Sequence, residues 1–153
     1  MSKFMSSFNI GKQGEDFAVK RLESLGIDYY LGDGKEVDLW IVIDGKKYKC
    51  EIKFDVYANK SGNIAIEFYN TRQCKPSGID ATVCDFWIHI LGESVLYICK
   101  TDSLREFIKN NKPKRTLTSI GDGNASIHLY DKSIIAELCF KDMTKETFNE
   151  LVS

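Results

Sequence analysis

Apolar residues recur at steps of three and four near the start of the chain. Between about residues 11 and 25, Ala18, Leu22 and Leu25 fall on one face, which is the spacing of an amphipathic helix. Gly26 follows directly, and glycine commonly ends a helix because it adopts left-handed backbone angles without strain. The pattern therefore predicts a first helix that packs one side against a core and stops before Gly26.

Two later segments alternate apolar and polar residues with the period of two that half-buried strands show. Residues 37–43 and 47–56 are separated by Asp44-Gly45, which strongly favours a tight turn between paired antiparallel strands. In the second strand one face is apolar, whereas Glu51 and Lys53 project together from the other, charged face. The sequence therefore predicts a hairpin whose second strand carries a carboxylate and an ammonium side by side.

Weaker patterns predict the remaining elements. Short strands are expected at residues 27–31, 63–69, 85–91 and 95–99, a helix capped by Thr101 through residue 108, and a short closing helix at residues 145–151. Residues 112–124 are expected to be loop, and residues 126–138 fit either a strand or a short helix. No internal repeat or linker interrupts this order, so residues 1–153 are expected to form a single domain.

Composition narrows the function classes. The chain of 153 residues is 43% hydrophobic and 28% charged, a balance typical of soluble globular proteins. No apolar run reaches the ~20 residues of a membrane helix and the N-terminus lacks a signal-peptide pattern, so we expect a cytoplasmic protein without membrane contact. The cysteines form no Cys-x-x-Cys pair, which argues against a zinc site. The net charge of −1 does not by itself indicate a nucleic-acid binder, although lysines cluster locally.

The charged face of the hairpin carries the candidate chemistry. Asp38 on the first strand and Glu51 on the second offer the oxygen ligands that Mg²⁺ prefers, and the backbone carbonyl of Ile52 is a further candidate ligand. A metal held there would polarise a phosphate and lower the pKa of a bound water. Lys53 would orient that water or stabilise the negative charge that develops on the phosphate. These residues therefore predict a metal-dependent phosphodiesterase site.

A carboxylate-x-Lys tripeptide alone is weak support, because chance supplies it easily. Asp33-Gly34-Lys35 and Asp44-Gly45-Lys46 match the same pattern. Both lie in predicted glycine turns, where a flexible backbone would not fix two ligands. Only Glu51-Ile52-Lys53 lies in a strand with an apolar reverse face and follows a strand that supplies a second carboxylate. The structural alternative is a surface ladder of ion pairs on a two-stranded ribbon.

At these residues the sequence resembles the PD-(D/E)xK nuclease superfamily, and within it the Holliday junction resolvase-like members. The resemblance rests on Gly14-Glu15, Val37-Asp38 and Glu51-Ile52-Lys53, in that order, over roughly residues 8–56. A later Lys75-Pro76-Ser77-Gly78-Ile79 loop and the Asp85-Phe86-Trp87 segment are similar to small phage-encoded nucleases. Val37 stands where the name motif has proline, a departure that is common in this superfamily.

The resemblance implies an α/β fold with a restriction-endonuclease-like core, in which a mixed central sheet is flanked by helices. It implies Asp38 and Glu51 as metal ligands, Lys53 as the catalytic lysine, and Glu15 as a further catalytic acid that reaches the metal directly or through water. The implied cofactor is Mg²⁺, for which Mn²⁺ can substitute. The implied partners are DNA and a second copy of the chain in a two-fold homodimer. A phage origin would place the protein in the host cytoplasm.

The expected function is therefore a metal-dependent DNA nuclease, and the resemblance favours an endonuclease that cuts branched or structured DNA. An exonuclease and a restriction-type endonuclease are alternatives, because the same core serves all three and loops set the specificity. A third interpretation is a nucleic-acid-binding module that keeps the fold without catalysis. The intact Glu51 and Lys53 argue against that interpretation.

Residues outside this set are weaker candidates. Phosphate contacts are expected from Lys49, Arg72, Lys75 and Ser77. Glu67 and Tyr69 share a face of the strand at residues 63–69, which could border the site.

Three aromatic residues and one histidine complete the set of candidates. Trp40, Tyr57 and Trp87 could stack on bases, but core packing is the favoured interpretation. His89 alternates with apolar residues in a predicted strand and is expected to be a core or interface histidine.

Overall fold

The computed structural model describes residues 3–120 and 124–153, and the side chains of residues 10–118 and 124–153. The helices are α1 (Lys3–Leu25), α2 (Ala58–Ser61), α3 (Thr101–Asn110), α4 (Lys132–Leu138) and α5 (Lys145–Val152). The strands are β1 (Asp28–Leu31), β2 (Leu39–Ile43), β3 (Lys46–Phe54), β4 (Asn63–Asn70), β5 (Lys75–Pro76), β6 (Phe86–Ile90), β7 (Leu96–Lys100), β8 (Arg115–Ile120), β9 (Ala125–Asp131) and β10 (Lys141–Asp142). A 3₁₀ turn spans Gly78–Asp80.

The central sheet has six strands in the order β1-β2-β3-β6-β7-β10. Strands β3 and β6 run parallel, and the other neighbours run antiparallel. The predicted hairpin between β2 and β3 is confirmed. Its turn places Asp44 at φ 51° and Gly45 at φ 79°, the positive angles that a two-residue hairpin with this hand requires. The predicted mixed α/β sheet is therefore present, with the motif strand β3 at its centre.

One face of this sheet packs against helices α1 and α5. Ala18 and Leu22 of α1 and Phe148 of α5 are buried with Cys50 and Ile88 of the sheet in one hydrophobic core. Helix α1 ends before Gly26, which has φ 70°, as the sequence predicts. The predicted apolar face of the first helix is confirmed, although the helix starts at residue 3 rather than near residue 11.

A second, four-stranded antiparallel sheet covers part of the opposite face, with the order β5-β4-β9-β8. Ile64 and Ile66 of β4 and Tyr130 of β9 pack with Trp87 of the central sheet and Leu104 of α3 in a second core. The predicted strand at residues 63–69 is confirmed, but it belongs to this second sheet. The charged face of β3 is thus flanked by a protein layer on one side.

Three local predictions were wrong or incomplete. Residues 112–124 were expected to be loop, but strand β8 lies within them and pairs with β9 through Arg115 and Leu117. Strand β8 forms a hairpin with the next strand β9, and the alternation of Thr116, Leu117 and Thr118 is a local strand signal that the loop prediction missed. Residues 126–138 contain strand and helix in succession, β9 and then α4.

Thr101 does not cap α3. Lys100 occupies the cap position, Thr101 is the first helical residue, and the Thr101 hydroxyl is buried without a hydrogen-bond partner among the described residues. Thr101 is buried against the core and lies one residue after the cap position, so its hydroxyl does not cap the helix. Within residues 3–120 and 124–153, no helix is long and apolar enough to span a membrane.

Candidate active site

Asp38 lies directly before β2 and is fixed across the hairpin to the motif strand. Its backbone N–H donates to the carbonyl of Cys50 at 3.2 Å, and its carboxylate Oδ2 accepts from the N–H of Ile52 at 2.8 Å. These two bonds bracket Glu51 on the opposite strand. The carboxylates of Asp38 and Glu51 are therefore held on the same face of the sheet, as predicted.

The loop before Asp38 is itself rigidly tied. Asp33 Oδ1 accepts from the backbone N–H groups of Lys35, Glu36 and Val37 at 2.9, 3.1 and 3.2 Å. The N–H of Gly32 donates to the carbonyl of Asp38 at 3.0 Å. The Asp33 tripeptide that resembled the motif thus has a structural role, because its carboxylate organises the turn that positions Asp38.

Glu51 is largely buried, with 16% of its side chain exposed. Burial is the largest cause that raises the pKa of Glu51 to about 8, followed by its hydrogen bond to the Asp38 carboxyl. The negative charges of Asp38 and Glu67 raise this pKa further, whereas Lys53 lowers it. A buried acid held next to other acids is a common feature of functional sites, since structure alone gains nothing from such repulsion.

Lys53 projects from the same face two residues along β3. Its Nζ lies 3.9 Å from Glu51 Oε1, and 37% of its side chain is exposed. The ammonium also lies over the Trp87 ring, 6.0 Å from the ring centroid, at a distance suited to a cation–π contact. The lysine is therefore positioned beside the paired acids while it still reaches solvent.

Glu15 approaches the same acids from helix α1. Burial raises its pKa above the usual range, and the charges of Asp38 and Asp16 raise it further. Gly14 permits this approach, because a Cβ added there would lie 2.8 Å from the Cβ of Phe54 on β3. Gly14 thus allows close packing of α1 on β3, and Glu15, which follows it, lies close enough to Asp38 for the two charges to interact.

Glu67 of strand β4 adds a fourth acid from the second sheet. Its charge contributes to the raised pKa of Glu51, and it lines a cavity together with Lys53. Gly78, at φ 52°, packs against the backbone of Glu67 so closely that no Cβ would fit. The expectation that the strand at residues 63–69 could border the site is confirmed for Glu67.

The four residues expected to contact phosphate differ in their position and in their exposure to solvent. Lys49 shares the face of Glu51 and Lys53, and its Nζ lies 5.9 Å from the centroid of the Trp40 ring. Arg72 and Lys75 are exposed beyond the end of β4. Ser77 is half-buried, and its hydroxyl oxygen is buried without a partner among the described residues. The Ser77 hydroxyl therefore does not face solvent, whereas Arg72 and Lys75 are exposed and Lys49 is partly exposed.

The sequence prediction missed a buried polar network beside Lys53. The Trp87 Nε1–H donates to His89 Nδ1 at 3.1 Å, and His89 Nε2 lies 3.0 Å from Asp55 Oδ2. The same Asp55 oxygen accepts from the N–H of Ala65 at 2.9 Å. His89 is buried, as expected, but its partner could be found only once β3, β6 and β4 were placed together.

Tyr57 corrects another expectation. Core packing was favoured for Trp40, Tyr57 and Trp87, and Trp87 is indeed fully buried, but the side chain of Tyr57 is 74% exposed. Its backbone carbonyl accepts from the N–H groups of Lys60 and Ser61 at 3.1 and 2.9 Å in helix α2. The ring is therefore presented to solvent from a fixed backbone position.

The acids fit a hard divalent cation in their donor chemistry. Asp38, Glu51 and Glu15 offer oxygen ligands, and Mg²⁺ needs only a few such ligands because it retains several waters. Among the described side chains, no three Asp, Glu, His or Cys groups already surround one metal position. Glu51 lies against the Asp38 carboxyl and faces Lys53, and a hydrogen bond between two carboxyl groups requires that one of them hold a proton. Burial, more than the charges of Asp38 and Glu67, raises the pKa of Glu51, and a cation bound beside it would favour the ionised form.

Comparison with known proteins supports the fold. No family model matches the chain, and no curated protein sequence matches it. A solved structure of a bacterial homing endonuclease, I-Ssp6803I, is similar over 80% of this chain and 77% of its own, with a TM-score of 0.55 and 21% identity. The chain therefore shares an endonuclease-like α/β fold with a mixed central sheet.

Proposed function

We propose that this protein is a metal-dependent DNA endonuclease whose active site consists of Asp38, Glu51, Lys53 and Glu15. The observation that carries the proposal is the placement of two acids beside a lysine: the Asp38 carboxylate accepts from the Ile52 N–H at 2.8 Å, and Lys53 Nζ lies 3.9 Å from Glu51 Oε1. Burial raises the pKa of Glu51, which agrees with this arrangement. The fold shared with a homing endonuclease supports the same reaction class. A solvated surface ladder of ion pairs would leave Glu51 exposed rather than largely buried against a second acid.

The side chains have distinct proposed roles. Asp38 and Glu51, with the Ile52 carbonyl, would hold Mg²⁺ or Mn²⁺, and Glu15 would act on the same ion directly or through water. When bound, the ion would polarise the phosphate and lower the pKa of a water nucleophile. Lys53 would hold that water in line with the leaving oxygen, or donate to the phosphoryl oxygens as negative charge develops there. The Asp38 bond to the Ile52 N–H fixes the first acid in place for this purpose.

The finer proposal is that the enzyme cuts branched or structured DNA. A substrate panel tests the reaction and this preference together: single-stranded, duplex, flap, four-way-junction and covalently closed circular DNA, each with Mg²⁺, Mn²⁺ or EDTA. We expect metal-dependent cutting, including cutting of the closed circle, because an endonuclease needs no end. Cutting of linear DNA alone would instead identify an exonuclease.

The variant Asp38→Ala should reduce cleavage at least about 100-fold, since it removes a ligand and leaves Glu51 without its partner. Asp28→Ala is the matched control, because Asp28 is an exposed aspartate on the edge strand β1. Cleavage that is absent with every metal, or that survives in Asp38→Ala, contradicts the proposal. DNA binding with no product would then favour the non-catalytic module.

We further propose a homodimer, as the family resemblance implies. The second half of the chain offers apolar surface for such a contact, since Ile134 and Leu138 of α4 are 49% and 60% exposed. Light scattering coupled to size-exclusion chromatography should give twice the 17.4 kDa chain mass. A monomer at all concentrations would refute this part of the proposal alone.

A further inference from the structure

A cavity of about 240 Å³ opens directly beside the candidate active site. Lys53 and Glu67 form part of its wall, so the cavity is continuous with the charged face of β3. Whole small-molecule sites usually measure about 300–1,000 Å³. This cavity therefore suits a fragment the size of one flat ring system rather than a complete nucleotide.

One part of the cavity wall carries an exposed aromatic ring. Tyr57 is 74% exposed, and Val56 beside it is 39% exposed. Single exposed apolar residues are ordinary on protein surfaces, but both of these line the same cavity as Lys53. Hydrogen bonds to the Tyr57 carbonyl hold its backbone at the start of α2, so the ring projects from a fixed point in the cavity wall.

The remaining lining combines apolar walls with one acceptor. Ala65 of β4 and Ile127 of β9 contribute apolar surface from the second sheet, and Asp55 and His89 also line the cavity. Asp55 Oδ2 is occupied by Ala65 N–H and His89. Oδ1 accepts no hydrogen bond from the described residues, and it is not among their fully buried unpaired atoms. The cavity therefore offers a stacking surface together with a carboxylate oxygen that can accept a hydrogen bond from a ligand.

We propose that this cavity binds one unpaired nucleobase next to the phosphate held at Lys53, with Tyr57 stacked on the base and Asp55 Oδ1 accepting from an amino group. The proposal rests on the proposed nuclease function and deepens it by naming the substrate class. A base inside an intact duplex is stacked and paired, so it cannot enter a side cavity without being extruded. The enzyme therefore selects DNA in which a nucleotide beside the scissile phosphate is already unpaired.

A binding experiment tests the stacking site independently of cleavage. Fluorescence anisotropy is measured in EDTA with a fluorescein-labelled single-stranded oligonucleotide and with an abasic oligonucleotide of the same length. Tyr57→Ala should weaken binding of the base-containing strand by about 5- to 100-fold and leave binding of the abasic strand unchanged. Tyr57→Phe should retain binding, because it keeps the ring. Tyr30→Ala is the matched control, since Tyr30 is an exposed tyrosine (57%) on the edge strand β1.

A cleavage experiment then tests the consequence for substrate choice. The probes are a perfect duplex and the same duplex with one bulged nucleotide, compared by single-turnover rates. The wild-type protein should prefer the bulged duplex, and Tyr57→Ala should lose most of that preference. A duplex with thymine at the bulge should be cut more slowly than one with cytosine or adenine there. Thymine lacks the exocyclic amino group that would donate a hydrogen bond to Asp55.

The outcomes separate the two proposals. If Tyr57→Ala binds both the base-containing and the abasic strand as tightly as the wild-type protein does, the base site is overturned, even if metal-dependent cleavage is found. Base-dependent binding that needs Tyr57, without any cleavage, supports the base site while the nuclease proposal fails. A loss on Tyr57→Ala that is the same for abasic and base-containing strands also overturns the base site, since it would reflect a change in backbone binding.

Discussion

Two tripeptides in the same hairpin match the carboxylate-x-Lys pattern, but their backbone conformation and their burial differ. Asp44-Gly45-Lys46 forms the turn, with positive φ at its first two residues and exposed side chains. Glu51-Ile52-Lys53 lies within β3, where the acid is 16% exposed and bonds to Asp38. The comparison teaches that the chemistry depends on a rigid strand and on desolvation, because the same residue types in a solvated turn gain neither.

The largest expected difference between the two tripeptides is catalytic. Lys53→Met should lower the single-turnover cleavage rate by about 10²- to 10⁴-fold, because it removes the cation that faces the developing charge. Lys46→Met should change the rate by less than about twofold, since Lys46 is exposed at the start of β3. Equal losses in the two variants would show that the position in the strand is irrelevant.

The second difference concerns stability and pH. The folded-state pKa of Glu51 is about 8, above the ordinary 4.5, so the folded metal-free protein holds a proton that the unfolded chain releases. The free energy of unfolding should therefore fall as pH rises from about 4.5 to about 8. Above about pH 8, Glu51 is ionised in both states and the full cost of burying its charge applies. Glu51→Gln should remove this slope and stabilise the metal-free protein at pH 9 by about 1–3 kcal/mol.

Urea unfolding in EDTA at several pH values measures this effect. Asp44→Asn is the control, because an exposed turn residue should give the same pH profile as wild type, and asparagine tolerates positive φ. Mg²⁺ should flatten the wild-type slope but not alter that of Glu51→Gln. A Glu51→Gln protein whose stability falls with pH as steeply as wild type would contradict the assignment of the buried charge.

The smallest effect tests how α1 reaches the motif strand. Gly14→Ala should destabilise the protein by about 1 kcal/mol net, because the close contact with Phe54 outweighs the gain in helix propensity. Gly11→Ala meets no atom within 4 Å and should stabilise by about 0.5–1 kcal/mol. Thermal unfolding of both variants measures this pair of opposite signs. If both variants gained stability, α1 would not be packed against β3 as closely as described.

The residues of the candidate site were predictable because their signals are local. The turn at Asp44-Gly45 fixed the hairpin, and alternation along β3 placed Glu51 and Lys53 on one face. Asp38 then follows by pairing, since its N–H bonds to the residue before Glu51. Glu15 was named through the family resemblance, and its closeness to Asp38 depends on the packing of α1.

By itself, the sequence determined which strand carries the acids and the lysine, since side-chain period and turn chemistry act over a few residues. Only the tertiary structure decided what surrounds them, because the Asp55–His89 contact and the approach of Glu67 join segments that are distant in sequence. The tertiary structure also leaves Tyr57 exposed in the wall of the cavity that Lys53 lines, although core packing was the favoured interpretation of this residue. Burial of Glu51 next to Asp38 and Glu67 in the folded protein is what gives this common tripeptide a strongly raised pKa at its acid.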